Sequence, residues 1–158
     1  MNPDASGSLA AVSVLAATSV GDLSLRPHAR IDASASVGDA VDEMRVWRRG
    51  AVLVEDGGAL VGIFTERDLL NRVDHRDPRW AEVGVREVMT AHPVVTRAGA
   101  SLAEALHSLI EGRRRHLPIV DEHGQVIGLL SIRDILAYVA SRFPEEMINL
   151  PPDPDHER

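Results

Sequence analysis

The sequence predicts an α+β fold in which two tandem β-α-β-β-α units pack together with pseudo-twofold symmetry. Three observations lead to this prediction. A seven-residue stretch recurs once, each copy contains the start signal of a helix, and each copy then has two apolar runs joined by a glycine-containing turn. One unit of about 60 residues buries only a modest fraction of its surface, which favours packing of the two units against each other.

The internal repeat is clearest where GIFTERD at residues 62–68 returns as GLLSIRD at residues 128–134, a spacing of 66 residues. Upstream the spacing becomes 65 residues, since Ser36 matches Ser101. The second copy has therefore gained one residue, near residues 111–112. Repetition at a fixed spacing indicates that one structural unit occurs twice.

The elements of the first copy follow from local signals. A helical turn at residues 20–23 and an extended piece precede a helix opened by Ser36 and Asp39, where the hydroxyl and the carboxylate satisfy unpaired backbone N–H groups. Two strands joined by a turn at residues 55–58 follow, because apolar runs on either side of glycines predict a hairpin. A last helix carries Leu69, Leu70 and Val73 on an apolar face.

The second copy repeats this order. Its turn of helix lies at residues 85–89, its middle helix opens with Ser101 and Glu104, and its hairpin turn lies at residues 121–124. We predict a tail with a short helix at residues 1–18, the first unit at residues 19–74 and a linker containing Asp77-Pro78 at residues 75–83. The second unit follows at residues 84–142 and a proline-rich tail at residues 143–158.

Composition excludes several classes of function. The chain has no cysteine, which excludes a disulfide scaffold and a thiol nucleophile, and all 17 of its basic residues are arginine. A formal net charge of −7 disfavours broad binding to nucleic acid or to an anionic membrane. No apolar stretch is long enough to span a membrane, so we expect a cytoplasmic protein. The seven histidines are scattered, so no metal site is expected, and no arrangement of catalytic residues is evident.

The order of elements and the ends of the two copies resemble the CBS-domain family, named for cystathionine beta-synthase, in its tandem-pair form (a Bateman module) of the stand-alone bacterial type. The resemblance covers residues 19–141 and is closer in the second copy, which contains VMT at residues 88–90, PVV at residues 93–95 and RHLPIV at residues 115–120. The first copy departs from the family pattern where Gly50-Ala51-Val52 replaces His-Leu-Pro.

The resemblance implies a regulatory module with two clefts between the repeats. In this family such clefts bind adenosyl ligands, namely AMP, ADP, ATP, S-adenosylmethionine or NAD. It also implies a homodimer, a regulated protein partner, no obligatory cofactor and no enzymatic activity. A ligand-free dimerisation or protein-interaction module is the alternative, and the departures in the first copy favour it.

Two strand-to-helix junctions carry the first group of candidate ligand-binding residues, which are Thr65, Arg67, Asp68, Ser131, Arg133 and Asp134. Read by themselves, the serine or threonine and the aspartate three residues later form a capping box. The N-terminus of a helix also attracts phosphate. The resemblance adds that the aspartate accepts both ribose hydroxyls and that the serine or threonine contacts ribose or phosphate.

Arginine runs at equivalent places before each hairpin provide the candidate phosphate-binding residues, which are Arg48, Arg49, Arg115 and His116. Such runs commonly form a solvated helix end that complements the helix dipole. Guanidinium groups are equally suited to phosphate. The resemblance implies a crossed arrangement, with Arg115 and His116 serving the cleft of Asp68 and the Arg49 region serving that of Asp134.

An adenine base needs an apolar slot with backbone hydrogen bonds beside it. The chain has few aromatic residues, so we expect a mostly aliphatic slot. Its candidate residues are Ile31, Val52, Ile63, Val94, Val95, Thr96, Pro118 and Leu129. The same residues are equally suited to an ordinary hydrophobic core.

Overall fold

A computed structural model describes residues 4–25 and 27–144, and it describes side chains from residue 10 onward. The first part of the chain forms α1 (Asp4–Ala17), β1 (Ala29–Asp32), α2 (Val37–Trp47), β2 (Ala51–Asp56), β3 (Ala59–Thr65) and α3 (Glu66–Arg72). The second part forms α4 (Val85–Val88), β4 (Thr90–Ala91), β5 (Thr96–Arg97), α5 (Leu102–Glu111), β6 (His116–Val120), β7 (Val126–Ser131) and α6 (Ile132–Arg142). The prediction of an α+β fold with two equivalent repeats is confirmed.

Capping boxes begin α2, α3, α5 and α6, as their sequences predict. The hydroxyl of Ser36 accepts a hydrogen bond from the Asp39 backbone N–H at 3.1 Å, and Asp39 Oδ2 accepts from the Ser36 N–H at 2.9 Å. The reciprocal pair satisfies donors that the first turn of a helix otherwise leaves free. Serine and threonine therefore fix where each of these four helices starts.

Two small sheets form the centre of the molecule. The first has the order β1-β2-β3-β4 and the second the order β5-β6-β7. In each sheet the first pair of strands is parallel and the hairpin pair is antiparallel. The equivalence of the two hairpins gives the molecule its pseudo-twofold symmetry.

The leading segment of each copy packs on the other copy. Gly84, which precedes α4, bridges to Ser36 in the first repeat, and Ser19 bridges to Ser101 in the second. Val85 lies in the core cluster of the first repeat and Val20 in that of the second. The two repeats are therefore interlocked, and neither core is complete without a segment of the other copy.

A third apolar cluster joins the two sheets. It consists of Ala51, Leu53, Ile63 and Leu129. Complete burial of one leucine side chain contributes about 1.5–3 kcal/mol, so this cluster alone holds the repeats together appreciably. Alternation along β2 produces it, because Ala51 and Leu53 face the other repeat while Val52 faces the helices.

The N-terminal helix is longer than the short helix expected within residues 1–18. α1 has 14 residues, and Leu15 packs against the core of the second repeat. Of the expected C-terminal tail, residues 145–158 lie outside the described residues. Within the parts of the chain that the structure describes, no helix is both long and apolar enough to cross a membrane.

Candidate functional site

Two neighbouring cavities lie where the strand-to-helix junctions of the repeats approach each other. One, the Asp68 cavity, has a volume of about 360 Å³ and is lined by Thr65, Arg67 and Asp68 together with residues from the second repeat. The other, the arginine cavity, has a volume of about 470 Å³. Both volumes fall within the range of small-molecule sites.

Asp68 caps a helix and lines a cavity with the same carboxylate. Its Oδ2 accepts hydrogen bonds from the Thr65 N–H at 2.9 Å and from the Thr65 hydroxyl at 2.7 Å. Its Oδ1 accepts from the Thr90 hydroxyl at 3.4 Å and lies 3.4 Å from Arg72 Nε. The side chain is 9% exposed. Capping and ligand binding are therefore compatible, although Oδ1 already has two neighbours.

Asp134 has a less crowded carboxylate. Its Oδ2 accepts from the Ser131 N–H at 2.8 Å and from the Ser131 hydroxyl at 2.6 Å. No hydrogen bond reaches its Oδ1 from residues 4–25 or 27–144. Tyr138, which matches Arg72, contacts the Thr18 hydroxyl at 3.1 Å instead. Ser131 and Arg133 line the arginine cavity, whereas Asp134 is not part of its lining.

The candidate phosphate residues lie around both cavities. Arg115 and His116 line the Asp68 cavity, which is the side that the crossed arrangement expects, and they also line the arginine cavity. Arg48 and Arg49 line the arginine cavity beside Ser131. The guanidinium of Arg49 donates to the Pro27 carbonyl at 3.2 and 3.3 Å, which holds its side chain across the start of the first repeat.

His116 is neutral near pH 7. Burial, together with the positive charge of Arg115, lowers the pKa of its imidazole to about 4, although the nearby carboxylate of Asp134 opposes the shift. In an uncharged ring one nitrogen donates and the other accepts a hydrogen bond. His116 therefore brings hydrogen-bonding groups to the cavities, and the arginines bring the positive charge.

The candidate adenine slot is only partly assembled. Ile63 and Val94 line the Asp68 cavity. Val95 and Thr96 instead line a separate open groove, together with Val120 and Ile127.

The remaining slot candidates belong to the hydrophobic core. Val52 is fully buried in the core cluster of the first repeat, and Ile31 packs against the same cluster. Pro118 is buried in β6, and Leu129 belongs to the cluster between the sheets. The alternation of the strand turns the side chain of Val52 toward the helices. The wall contact expected of Val52 and the backbone contacts expected at Ile31 stay predictions.

Several cavity residues were not anticipated from the sequence. In the Asp68 cavity they are Arg72, Thr90, His92, Pro93, Arg113 and Arg114. In the arginine cavity they are Val41, Met44, Arg45, Glu66, Leu69 and Ile132. Arg113 and Arg114 continue the arginine run, so the run itself was a usable signal. Val41, Met44 and Leu69 have the helical spacing of core residues and gave no such signal.

The charge of the site is opposite to that of the chain. Five arginines and one glutamate line the arginine cavity, whereas the whole chain carries a formal charge of −7. Arg115 approaches the carboxylate of Glu66 at 3.8 Å. Among the described residues no group of three histidine, aspartate or glutamate side chains is placed to hold a metal ion. The cavities are thus suited to an anion with several negative charges.

Comparisons with known proteins match most of the chain. The family described as CBS domain matches residues 20–75 and 85–141. A CBS domain-containing protein of Arabidopsis thaliana is 37% identical over 124 residues, covering 78% of this chain and 23% of that relative. The chain thus spans less than a quarter of this curated relative.

Two solved structures are similar over most of the chain. A CBS-domain containing protein from Agrobacterium tumefaciens is 30% identical with a TM-score of 0.70, covering 77% of this chain and 98% of that one. The structure of CBSX2 in complex with AMP is 28% identical with a TM-score of 0.66, covering 78% of this chain and 97% of that one.

Proposed function

Because the chain belongs to the CBS-domain family and contains two CBS domains, we propose that it is a cytoplasmic regulatory module that binds an adenosyl ligand between its repeats. Its ligand would be AMP, ADP, ATP, S-adenosylmethionine or NAD. Occupancy of the cavities would shift the population of two arrangements of the repeats and so signal to a partner protein, without catalysing a reaction.

The observation that carries this proposal is the concentration of arginine around cavities on an acidic chain. Scattered surface arginines would be expected to pair with the many carboxylates of the chain. Among the described residues that line the arginine cavity, five are arginines and one, Glu66, is acidic. Local positive charge of this kind attracts a small anion while leaving the remaining surface unsuited to nucleic acid.

The solved complex of a similar protein supports an adenosine nucleotide in particular. CBSX2 was crystallised with AMP, and it shares the two-repeat architecture over 78% of this chain. In this proposal Asp68 or Asp134 accepts the ribose hydroxyls, and Arg49, Arg115 and His116 bind the phosphates. Ile63 and Val94 supply apolar contacts for the base.

A thermal-shift screen with the candidate ligands tests the proposed function. A ligand present at 100 times its Kd adds about 2.7 kcal/mol to the free energy of unfolding. For a chain of this length we expect the melting temperature to rise by roughly 5–10 °C. The double variant Arg49→Gln/Arg115→Gln should lose most of this rise. Unchanged melting with all five ligands at millimolar concentration would contradict the proposal.

A ligand-free interaction module is the second candidate, and the exposed apolar surface supports it. Val46, Leu70, Ile110 and Leu136 lie on helices of both repeats, with exposed fractions between 52% and 73%. Repeated exposure of apolar side chains at equivalent helices commonly marks an interface. We propose that the chain forms a homodimer through these helices whether or not it binds a ligand, since pairing of the helices does not require the cavities to be filled.

A further inference from the structure

An open groove on the second repeat lies apart from the Asp68 cavity and the arginine cavity. It has a volume of about 830 Å³, and its floor includes Val95, Val120 and Ile127. Val95 and Ile127 are 41% and 52% exposed. Exposed aliphatic side chains that gather in one groove commonly mark a binding surface.

The charge around this groove is opposite to that of the two cavities. Glu104, Asp121 and Glu122 line it together with Arg97 and His123, and we call it the acidic groove. Each of the two cavities is lined by five arginines and one carboxylate. An anionic nucleotide is therefore drawn to the cavities, whereas the acidic groove suits a ligand that combines aliphatic groups with positive charge.

The first repeat offers an internal comparison. The 65-residue spacing matches Val95 with Arg30, whose guanidinium lies 3.0 Å from Glu55 Oε1 and donates to the Val126 carbonyl at 3.0 Å. Arg30 thus covers its part of the first repeat with polar contacts. Valine at position 95 has no polar group with which to do the same. The open apolar floor is therefore a feature of the second repeat and is not required by the shared fold.

The acidic groove and the Asp68 cavity share one segment of backbone. Val94 lines the cavity, and Val95, the next residue, lines the groove. β5 begins directly after them, at Thr96. A nucleotide base that packs on Val94 therefore constrains a residue of the groove, and coupling between two sites acts in both directions.

Resting on the proposed function, we infer that the acidic groove is the docking site of the regulated partner, which it binds through a polypeptide segment that combines aliphatic residues with arginine or lysine. The aliphatic side chains pack on Val95, Val120 and Ile127. The basic side chains pair with the carboxylates of Glu104 and Glu122.

Other occupants fit the acidic groove less well. A small molecule needs a site that encloses most of its surface, whereas an open groove accepts a chain that passes through it. Residues 145–158 of this chain carry five carboxylates and one arginine, so their charge has the wrong sign. A segment of a basic partner has the matching charge.

Three synthetic peptides of equal length probe the acidic groove. One alternates arginine with valine, the second arginine with serine, and the third glutamate with valine. Alternate side chains of an extended peptide share one side, so the valines can pack on the floor while the long arginine side chains reach the rim. We expect calorimetry to show that the arginine–valine peptide binds at least about tenfold more tightly than either of the others. Saturating AMP should change its affinity by at least about fivefold.

Two groove variants and two matched controls locate the bound peptide. Ile127→Arg and Glu122→Arg place positive charge in the groove and should weaken binding of the arginine–valine peptide at least about tenfold. Val12→Arg and Glu111→Arg make the same kinds of change at exposed residues outside the groove lining, and they should leave this affinity unchanged.

The outcomes separate this inference from the proposed function. If the arginine–valine peptide binds no more tightly than the other peptides, or if groove and control variants bind it alike, the inference is wrong and the proposed function stands. If AMP binds but leaves the peptide affinity unchanged, the groove is not part of the regulated module and the inference is also wrong.

A change in molecular mass of the Glu122→Arg variant, measured by light scattering, would assign the groove to a second copy of this chain and overturn the inference. If none of the five adenosyl ligands binds while the peptide still binds in the groove, the proposed function is wrong and the docking site stands.

Discussion

Asp68 and Asp134 occupy equivalent positions, but their carboxylates have different neighbours. Oδ1 of Asp68 is close to Arg72 and Thr90. At Asp134 the matching positions are Tyr138 and Leu25, which give its Oδ1 no such contact. A ribose that binds at Asp68 must therefore compete with the existing contacts of Oδ1, whereas a ribose at Asp134 meets no such competition.

Replacement of each aspartate by glutamate separates capping from ligand binding. Glutamate is at least as good in a capping box, so Asp68→Glu and Asp134→Glu should change the free energy of unfolding by less than about 0.5 kcal/mol. The added methylene displaces the carboxylate and weakens charged hydrogen bonds worth about 1.5–3 kcal/mol. We expect the affinity for nucleotide to fall roughly 10- to 150-fold, measured by calorimetry.

Asp39→Glu provides the matched control, because Asp39 caps α2 in the same way and lies outside the lining of both cavities. This variant should bind nucleotide as the unmodified chain does. Wild-type affinity in all three variants would show that the aspartates act only as caps.

The lowered pKa of His116 makes stability depend on pH. The imidazole has its ordinary pKa of 6.5 in the unfolded chain and a pKa of about 4 in the folded one, so the unfolded chain binds the proton more readily. This contribution to stability is fully present above pH 6.5 and is lost as the pH falls toward 4. The loss amounts to about 2–3 kcal/mol.

Urea denaturation of the His116→Gln variant measures this contribution. We expect the unfolding free energy of the unmodified chain to fall more steeply between pH 6.5 and 4 than that of the variant. The acids whose pKa values are lowered, Asp39 and Glu104 among them, are unchanged in the variant and cancel in the comparison. Parallel pH profiles would contradict the assignment of a half-buried, neutral His116.

At the scale of elements, the exchange of leading segments depends on a glycine in each hairpin. A Cβ at Gly62 would lie 2.2 Å from the sulfur of Met89, and a Cβ at Gly128 would lie 3.3 Å from Leu25 Cδ1. Met89 is 9% exposed and packs in the first core, so its side chain has little freedom to withdraw. The glycines therefore leave the space in which the leading segment of the other copy lies.

Substitution of Gly62 tests this contact directly. Gly62→Ala should lower the free energy of unfolding by about 1–3 kcal/mol, the usual cost of overpacking a closed core. Gly99→Ala is the control, since a Cβ at Gly99 meets nothing within 4 Å. Denaturant titration of both variants measures the difference. An equal, small effect in the two variants would show that β4 is not held tightly against β3.

Helix starts and hairpin turns were predictable from the sequence, because both are decided within a few residues. Ser36 and Asp39 are three positions apart, so their capping hydrogen bonds do not depend on the remainder of the chain. The partner of a leading segment was not predictable in the same way. Gly84 and Ser36 are far apart in the sequence, and their contact depends on the packing of the two repeats.

At the scale of the whole molecule, the exposed apolar side chains follow the pseudo-twofold symmetry. Leu70 in α3 and Leu136 in α6 are equivalent, and they are 73% and 52% exposed. Val46 and Ile110 are also exposed, in α2 and α5. Burial of both helix pairs in a symmetric partner removes this surface from water, which favours a twofold dimer.

Light scattering coupled to size exclusion measures the assembly. We expect twice the mass of one chain at tens of micromolar, because a stable interface of about 1,200–2,000 Å² is within reach of four helices. Leu70→Glu together with Ile110→Glu should yield monomers, while Val12→Glu on α1 should leave the dimer intact. A monomer mass for the unmodified chain would contradict the proposed dimer.

The repeat, the order of elements and the capped helix starts are predictable from the amino-acid sequence alone. The arginine runs are equally visible in the sequence, and their positive charge contrasts with the negative net charge of the chain. These features are encoded locally, in spacings of three or four residues and in glycine-containing turns. Their prediction therefore does not require the long-range contacts of the fold.

Which apolar residues face a cavity depends on the packing of distant segments against each other. Val52 lies in a continuous apolar strand, and such a run does not reveal which of its two faces points at the other repeat. Val41, Met44 and Leu69 became a cavity wall through the approach of α2 and α3 to the second repeat. The sharing of Arg115 and His116 between two cavities has the same origin, because non-local packing places distant segments side by side.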